Sequence, residues 1–387
     1  MKTGTWKAVN LSAVAGMVAL GLATLPGVGA QGRGAGQGGG RGEARGRATY
    51  SLSDPVPNDP ALKGAFDMHA HQDPDSNGAS YGQAARSDDA LDLYTRAKAA
   101  GMRGFVIKQH LDQTAGLAYY MRKLHPDLEI FGGMGSNLTT GQTVNPWAIT
   151  HMTEIKGGWG RIVWMPSWDS EYSSHENQNY AKTLAPPRAK VFARPFVSVA
   201  RCTGAGLFWA NFPKPCAKGE LLPEVMEAIR VIATTKTRDS NGDLVLATGH
   251  NSPPEVMMML KAAASAGVKH TIITHPLLDS VGMTHAQIKE AVSVGPEIYA
   301  EFTSQFGNPT ATAETIDDYV GGIRAAGVEH AIVSSDTGQL NSIWQPDALA
   351  NVAVALRKRG FSERELDLLL KINPAKILGV TPATATR

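Results

Sequence analysis

From Ala65 onward the chain alternates two kinds of hydrophobic pattern. Short apolar runs with little internal alternation recur eight times: GAFDMH, GFVIKQH, LEIFGGMG, RIVWMPS, DLVLATGH, HTIITHP, EIYAEFTS and HAIVSSD. Between most of them lie longer stretches with apolar residues at helical spacing, such as SDDALDLYTRAKAAG and PPEVMMMLKAAASAG. A run that stays apolar on successive residues suits a strand buried on both faces, as in a parallel sheet covered by helices. Eight strand–helix units in one domain predict an α/β fold of the (β/α)8 type, a TIM barrel.

A weak internal repeat sharpens this. KAAGMRGFVIKQH, ASAGVKHTIITHP and RAAGVEHAIVSSD each end a helix in Ala-Gly and then begin a strand. Gly101, Gly267 and Gly327 suit the residue just past a helix C-terminus. Counted from each glycine, the last apolar residue of the strand falls at one offset: Ile107, Ile273 and Val333. Lys108 and His110, His275, and Asp336 follow at once, at C-terminal strand ends, the face on which barrels of this type carry their chemistry. His270 and His330 fall at strand starts, on the opposite face, and read as structural.

One segment breaks the rhythm. Ser167 to Glu220, after the fourth strand, is too long for a connecting loop and carries Trp168, Tyr172, Tyr180, Phe208, Trp209 and Phe212. It reads either as a lid or substrate wall, or as a packing flap with its own small core. Asp73 to Arg86 is a second candidate cover for the mouth.

The N-terminus stands apart. Lys2 and Lys7 precede a nearly uncharged apolar run, Ala8 to Leu25, and Val28 and Ala30 occupy the small-residue positions of a signal-peptidase site. Residues 1–30 are therefore expected to be a signal peptide, with a retained membrane anchor as the rival, and the protein to be periplasmic or secreted. Gln31 to Ala48, rich in Gly and Arg, has no hydrophobic face and reads as a flexible spacer within a linker over 31–55. The barrel then takes 56–387, with 167–220 inserted. The two cysteines, Cys202 and Cys216, are expected to form a disulfide in an oxidising compartment. A formal net charge of +2 favours neither a nucleic-acid nor a membrane-surface partner, leaving a small-molecule substrate.

His69 and His71, i and i+2 on the first strand, project to one face, with Asp67 expected on the same face one pleat lower. Two neutral imidazoles at a strand end are half of a divalent metal site. His-X-His alone is a weak pattern, but His250, His275 and Asp336 are placed at the same rim. His125, His151, His175 and His285 fall on helices or loops and are not expected to bind metal.

This order, His-X-His on strand one, His on strands five and six and Asp on strand eight, resembles the amidohydrolase superfamily. The tail INPAKILGV, Ile372 to Val380, is similar to the helix that often closes such barrels, and the resemblance covers about Ala65 to Val380. It implies that His69 and His71 hold the more buried metal, and that Asp336 ligates it and accepts a proton from the attacking water. It also implies that His250 and His275 hold a second ion, or that His250 joins a single ion while His275 polarises the substrate. The usual bridging Lys or Glu is missing from the end of strand four, which reads RIVWMPSWD. Lys108, on strand two, is the nearest lysine at a strand end. It is expected to bridge as a carbamate, to serve as a cation for a substrate carboxylate or oxyanion, or to pair with Asp67 or Asp336. His110 shares its face and is a candidate for substrate contact or catalysis.

The resulting expectation is an exported hydrolase with one or two divalent ions, zinc foremost, using a metal-activated water on an amide, cyclic amide or imide, ester or lactone. Rival readings are a mononuclear decarboxylase, with Arg188, Arg194 or Arg201 holding a carboxylate, and a metal-bearing binding protein without catalysis.

Overall fold

The computed structural model describes residues 51–75, 88–110, 112–172, 196–202, 219–307, 311–339 and 342–382. Eight parallel strands run in the order β1 (Phe66–His71), β2 (Gly104–Lys108), β3 (Glu129–Gly135), β4 (Gly160–Trp164), β7 (Val245–Ala247), β8 (His270–Ile273), β9 (Ile298–Thr303) and β10 (Ala331–Ser334). They are the eight apolar runs of the sequence. The first and last meet at the site end. Asp336 N–H donates to the His69 carbonyl and His71 N–H to the Thr337 carbonyl, each at 2.9 Å. The barrel is closed there by the backbone of the candidate ligands themselves.

A helix follows each barrel strand: α1 (Ala90–Ala99), α2 (Ala115–Leu124), α3 (Pro146–Thr153), α4 (Pro223–Thr234), α5 (Pro253–Ala266), α6 (His285–Val292), α7 (Ala313–Ala326) and α8 (Gln345–Arg357). Their ends follow local chemistry. α5 starts with a Ser252–Glu255 capping box and two prolines, and Gly267 closes it in the left-handed region (φ 81°). Leu93, Ala97, Leu260, Ile288, Ile323 and Leu349 pack the helices onto the outside of the sheet. Phe66, Met68, Val106, Phe131, Ile162, Trp164, Ile272, Tyr299 and Ile332 fill the inside.

The last helices are α9 (Glu363–Asp367) and α10 (Asn373–Ile377), joined by a π-helical turn over Leu368–Ile372. Asn373 Nδ2 donates to the carbonyls of Val328 and Ala331 at 2.8 Å, and Ala375, Ile377 and Leu378 join the interior cluster. The Asn-Pro-Ala segment thus closes the barrel floor. His270 and His330 belong to the floor as expected: His270 Nδ1 lies 3.2 Å from Glu297 Oε2, and His330 Nδ1 3.1 Å from the Ile298 carbonyl.

The described roots of the insertion pack onto α4. β5 (Ala200–Cys202) pairs antiparallel with β6 (Gly219–Leu221), and Val197, Val199 and Ala200 are buried beside Val225 and Ile229 of α4. Cys202 ends β5, while Cys216 lies outside the described residues, as do Arg188, Arg194, His175 and the aromatic residues Tyr180, Phe208, Trp209 and Phe212. The expected cover at 76–86, the signal segment and the spacer also lie outside them. No helix among the described residues is long and apolar enough to cross a membrane.

One expectation about β1 is corrected. Its register against β2 shifts by one residue between Asp67 and Ala70, a β-bulge. Phe66 and Met68 point into the barrel, so Asp67 does not share the His-X-His face. Its Oδ1 instead accepts the backbone N–H groups of His69 (3.1 Å) and Ser335 (3.0 Å), tying β1 to β10.

Candidate metal centre

The C-terminal strand ends gather the six residues singled out as metal ligands. His69 and His71 end β1, Lys108 ends β2 opposite His71, and His250, His275 and Asp336 follow β7, β8 and β10 by two or three residues. All but His250 are nearly fully buried. His275 (φ 21°) and Asp336 (φ 49°) have positive φ without being glycine, a conformation that costs about 1–3 kcal/mol each and that surrounding structure must hold. Two glycines make close approaches possible. Gly338 (φ 114°) sits so near the His71 carbonyl oxygen that a Cβ would overlap it. Gly249 (φ 65°) likewise lies against the carbonyls of Met165 and Pro166, just before His250.

His69 Nε2 and His71 Nε2 both face Asp336 Oδ1, at 3.4 and 3.3 Å. Both separations exceed an ordinary N–H···O bond. They match the edge of a tetrahedron whose corners are about 2.0–2.1 Å from a common ion, roughly 3.3–3.4 Å. The three donor atoms lie within 4.8 Å of one another. Across the mouth, His250 Nε2 and His275 Nε2 are 3.1 Å apart. Their Nδ1 atoms are buried with no hydrogen-bond partner among the described residues. The His69 and His275 rings stack at 6.0 Å and join the two halves.

The electrostatics suit a cation. Burial pulls His69 down to about 4 and His275 down to about 3, and holds His250 well below the usual histidine range. These imidazoles are therefore neutral lone-pair donors at physiological pH. Burial also pushes the carboxyl groups of Asp336 and Glu301 up, and Asp67 up to about 6. Taking several carboxylates out of water costs free energy that a buried cation offsets.

Glu301 is the residue the sequence reading missed. It sits inside β9, and its Oε2 lies 3.2 Å from His69 Nδ1, both side chains buried. A carboxylate behind a ligating imidazole fixes the tautomer and leaves Nε2 as the free donor. The available signal was a charged residue in an otherwise apolar strand, EIYAEFTS, which a buried parallel strand does not normally carry.

The base of the centre is aromatic. Trp164, at the end of β4 where a bridging carboxylate was looked for, lies 5.7 Å from the His69 ring, and Lys108 Nζ sits 4.8 Å above its indole. His110 is buried at the end of the β2 loop, its ring stacked on His71 at 4.5 Å and tilted against Trp168 at 5.5 Å. Asn137 holds these loops together. Its Nδ2 donates to the His110 carbonyl and to Ser167 Oγ, and its Oδ1 accepts the N–H groups of Ser167 and Asp169. Ser170 Oγ donates to the His250 carbonyl, so the start of the insertion also positions that histidine.

A model of a family of unknown function (DUF6282) matches residues 64–301. No curated protein matches the chain. Among solved structures, an amidohydrolase from Burkholderia multivorans with bound zinc is similar at a TM-score of 0.52 and 12% identity, covering 82% of this chain and 99% of that one. A second crystal form from the same organism, with bound HEPES, gives 0.50 and 11% identity over the same shares. At this identity the likeness shows the fold alone, a (β/α)8 barrel.

Proposed function

The chain belongs to that family of unknown function, and we propose that it is a metal-dependent hydrolase acting on a C–N or C–O bond of a small molecule. The observation that carries this is the convergence of two imidazole Nε2 atoms on one buried carboxylate oxygen, at ligand-to-ligand rather than hydrogen-bond spacing. The donor set fits a divalent ion of the zinc type; the B. multivorans structure that shares the fold carries zinc in its own crystal.

His69, His71 and Asp336 would hold the ion, and His250 and His275 would complete the site or hold a second. Bound there, the ion would supply Lewis acidity, making a water a better nucleophile and a carbonyl a better electrophile at neutral pH. The rest falls to the chain. Asp336 takes the proton of the attacking water on a carboxylate oxygen and passes it to the leaving nitrogen or oxygen. Gln305 Nε2, 3.5 Å from Asp336 Oδ2, steadies that carboxylate. Where His250 alone joins a single ion, His275 is left to donate to the oxygen that gains charge, a fixed dipole in place of reorganising solvent. Glu301 keeps His69 in one tautomer. Trp164, Trp168 and the buried strand ends exclude bulk water.

For Lys108, one contact supports the ammonium over the carbamate. The face of an indole is electron-rich, so it attracts a cation and repels the anion that carboxylation would create. As an ammonium, Lys108 would bind a substrate carboxylate or oxyanion. The same role would serve a decarboxylase, the second reading; release of CO2 from carboxylate substrates separates the two. Export is part of the proposal and rests on the first thirty residues alone; the N-terminal sequence of the mature protein checks it.

The test is metal content of protein purified without chelator, beside turnover of ester, lactone, amide and cyclic imide panels. The reading expects at least one divalent ion per chain and activity that chelation abolishes and metal restores. Absence of metal after supplementation would overturn it.

A further inference from the structure

A second cluster lies beside the first, on the β1–β2 side of the mouth. His71, Asp75 and His110 each offer a ligand atom, and the three atoms lie within 4.8 Å of one another. His110 Nδ1 is 3.6 Å from Asp75 Oδ2. That is too long for a hydrogen bond and close to the roughly 3.3–3.4 Å that separates two ligands of one tetrahedral ion. The two side chains are only 11% and 4% exposed, so water does not solvate them freely.

The cluster is held from several sides. Both Asp75 carboxylate oxygens accept the backbone N–H of His110, at 3.2 Å. Gln109 Nε2 donates to the carbonyls of Gln72 and Pro74, fixing the turn that leads into Asp75. Asn137 Nδ2 donates to the His110 carbonyl from β3's side. The His110 ring is clamped between His71 and Trp168. A carboxylate and an imidazole are thus presented side by side at ligand spacing before any ligand arrives. Imidazole with carboxylate is a donor set for zinc, cobalt or nickel rather than for magnesium or calcium.

We propose that Asp75 and His110 bind a second divalent cation at the β1–β2 rim, next to His71. This site is separate from the His250–His275 pair, which lies across the mouth. It rests on the proposed metal centre only through His71, the ring that both clusters share. The sharing makes the two sites interdependent, so filling one alters the affinity of the other.

The experiment counts metal. Full-length protein is stripped with chelator, reloaded with Co2+ or Zn2+, and analysed for equivalents per chain, with the visible Co2+ absorption as a second readout. Asp75→Asn with His110→Gln is compared with wild type and with His69→Ala. Asparagine can still accept from the His110 N–H, so the loop retains its anchor. The proposal expects the double variant to hold one equivalent fewer than wild type and to keep the equivalent that His69→Ala loses. A double variant with the wild-type count overturns it. Loss of an equivalent in the double variant with none lost in His69→Ala would keep this site and sink the proposed function instead. If the double variant does not fold, Asp75→Asn alone decides: about tenfold or more weaker binding of one Co2+ equivalent supports the site, and unchanged binding of every equivalent overturns it.

Discussion

His69 Nδ1 lies 3.2 Å from Glu301 Oε2, a contact between residues 232 positions apart, made in the fully buried interior of the barrel. The other nitrogen of the same ring faces Asp336 at 3.4 Å. One imidazole thus joins the carboxylate that orients it to the carboxylate proposed to share a metal ion with it. Glu301→Gln should therefore weaken metal binding by about 10–100-fold. Measured by chelator competition, the loss should exceed any change in melting temperature of the metal-free protein. An unchanged affinity would make Glu301 a packing residue.

Removing a donor of the centre should be far more severe. His69→Ala and His71→Ala are expected to lower kcat/KM by at least about a hundredfold, since the metal's charge stabilisation is worth several kcal/mol. Atomic absorption on the purified variants should show the ion missing, and retention of full activity by either variant would contradict the assignment.

Lys108→Met tests the two roles of the lysine against each other. The ammonium reading expects an unchanged metal count and a raised KM for anionic substrates. The carbamate reading expects loss of one ion and, in the wild type, activity that depends on dissolved CO2. Metal analysis with and without bicarbonate separates them.

A pH effect on stability should arise at the start of α5, just after His250. Burial pushes the carboxyl of Glu255 from 4.5 up to about 7, although Ser252 hydrogen bonds oppose the shift. A carboxyl with a raised folded-state value binds its proton more tightly when folded. Its contribution is complete below about 4.5, the unfolded value, and is lost as pH rises through about 7. Glu255→Gln should flatten the pH dependence of urea unfolding between those limits. A profile as steep as wild type would show that Glu255 is not the titrating group.

Gly338→Ala probes barrel closure. The backbone there has φ 114° and abuts the His71 carbonyl oxygen, so a Cβ must displace β1 or the loop after β10. A loss of about 2–4 kcal/mol in denaturant unfolding is expected, from strain at positive φ plus the overlap. A loss under 1 kcal/mol would mean that the closure is more compliant than the geometry implies.

The eight strands, the helices that follow them, the floor role of His270 and His330 and the closing Asn-Pro-Ala helix were all legible along the chain. Each depends on spacing within about a dozen residues, because strand and helix periodicity and helix capping are local. The rim position of Lys108, His275 and Asp336 was legible for the same reason, since a strand's end can be counted from the glycine that precedes it, and that of His69 and His71 from the end of the first apolar run. Tertiary structure alone decided the rest. A one-residue bulge turned Asp67 from the metal face to the β1–β10 seam, and bulges follow from how two strands meet, not from one strand's pattern. Glu301 met His69, and Asp75 met His110, only because closing a barrel brings the ends of distant or looped segments to one rim. The sequence supplied the donors strand by strand; the circular sheet fixed which nitrogen faces which oxygen, and at what distance.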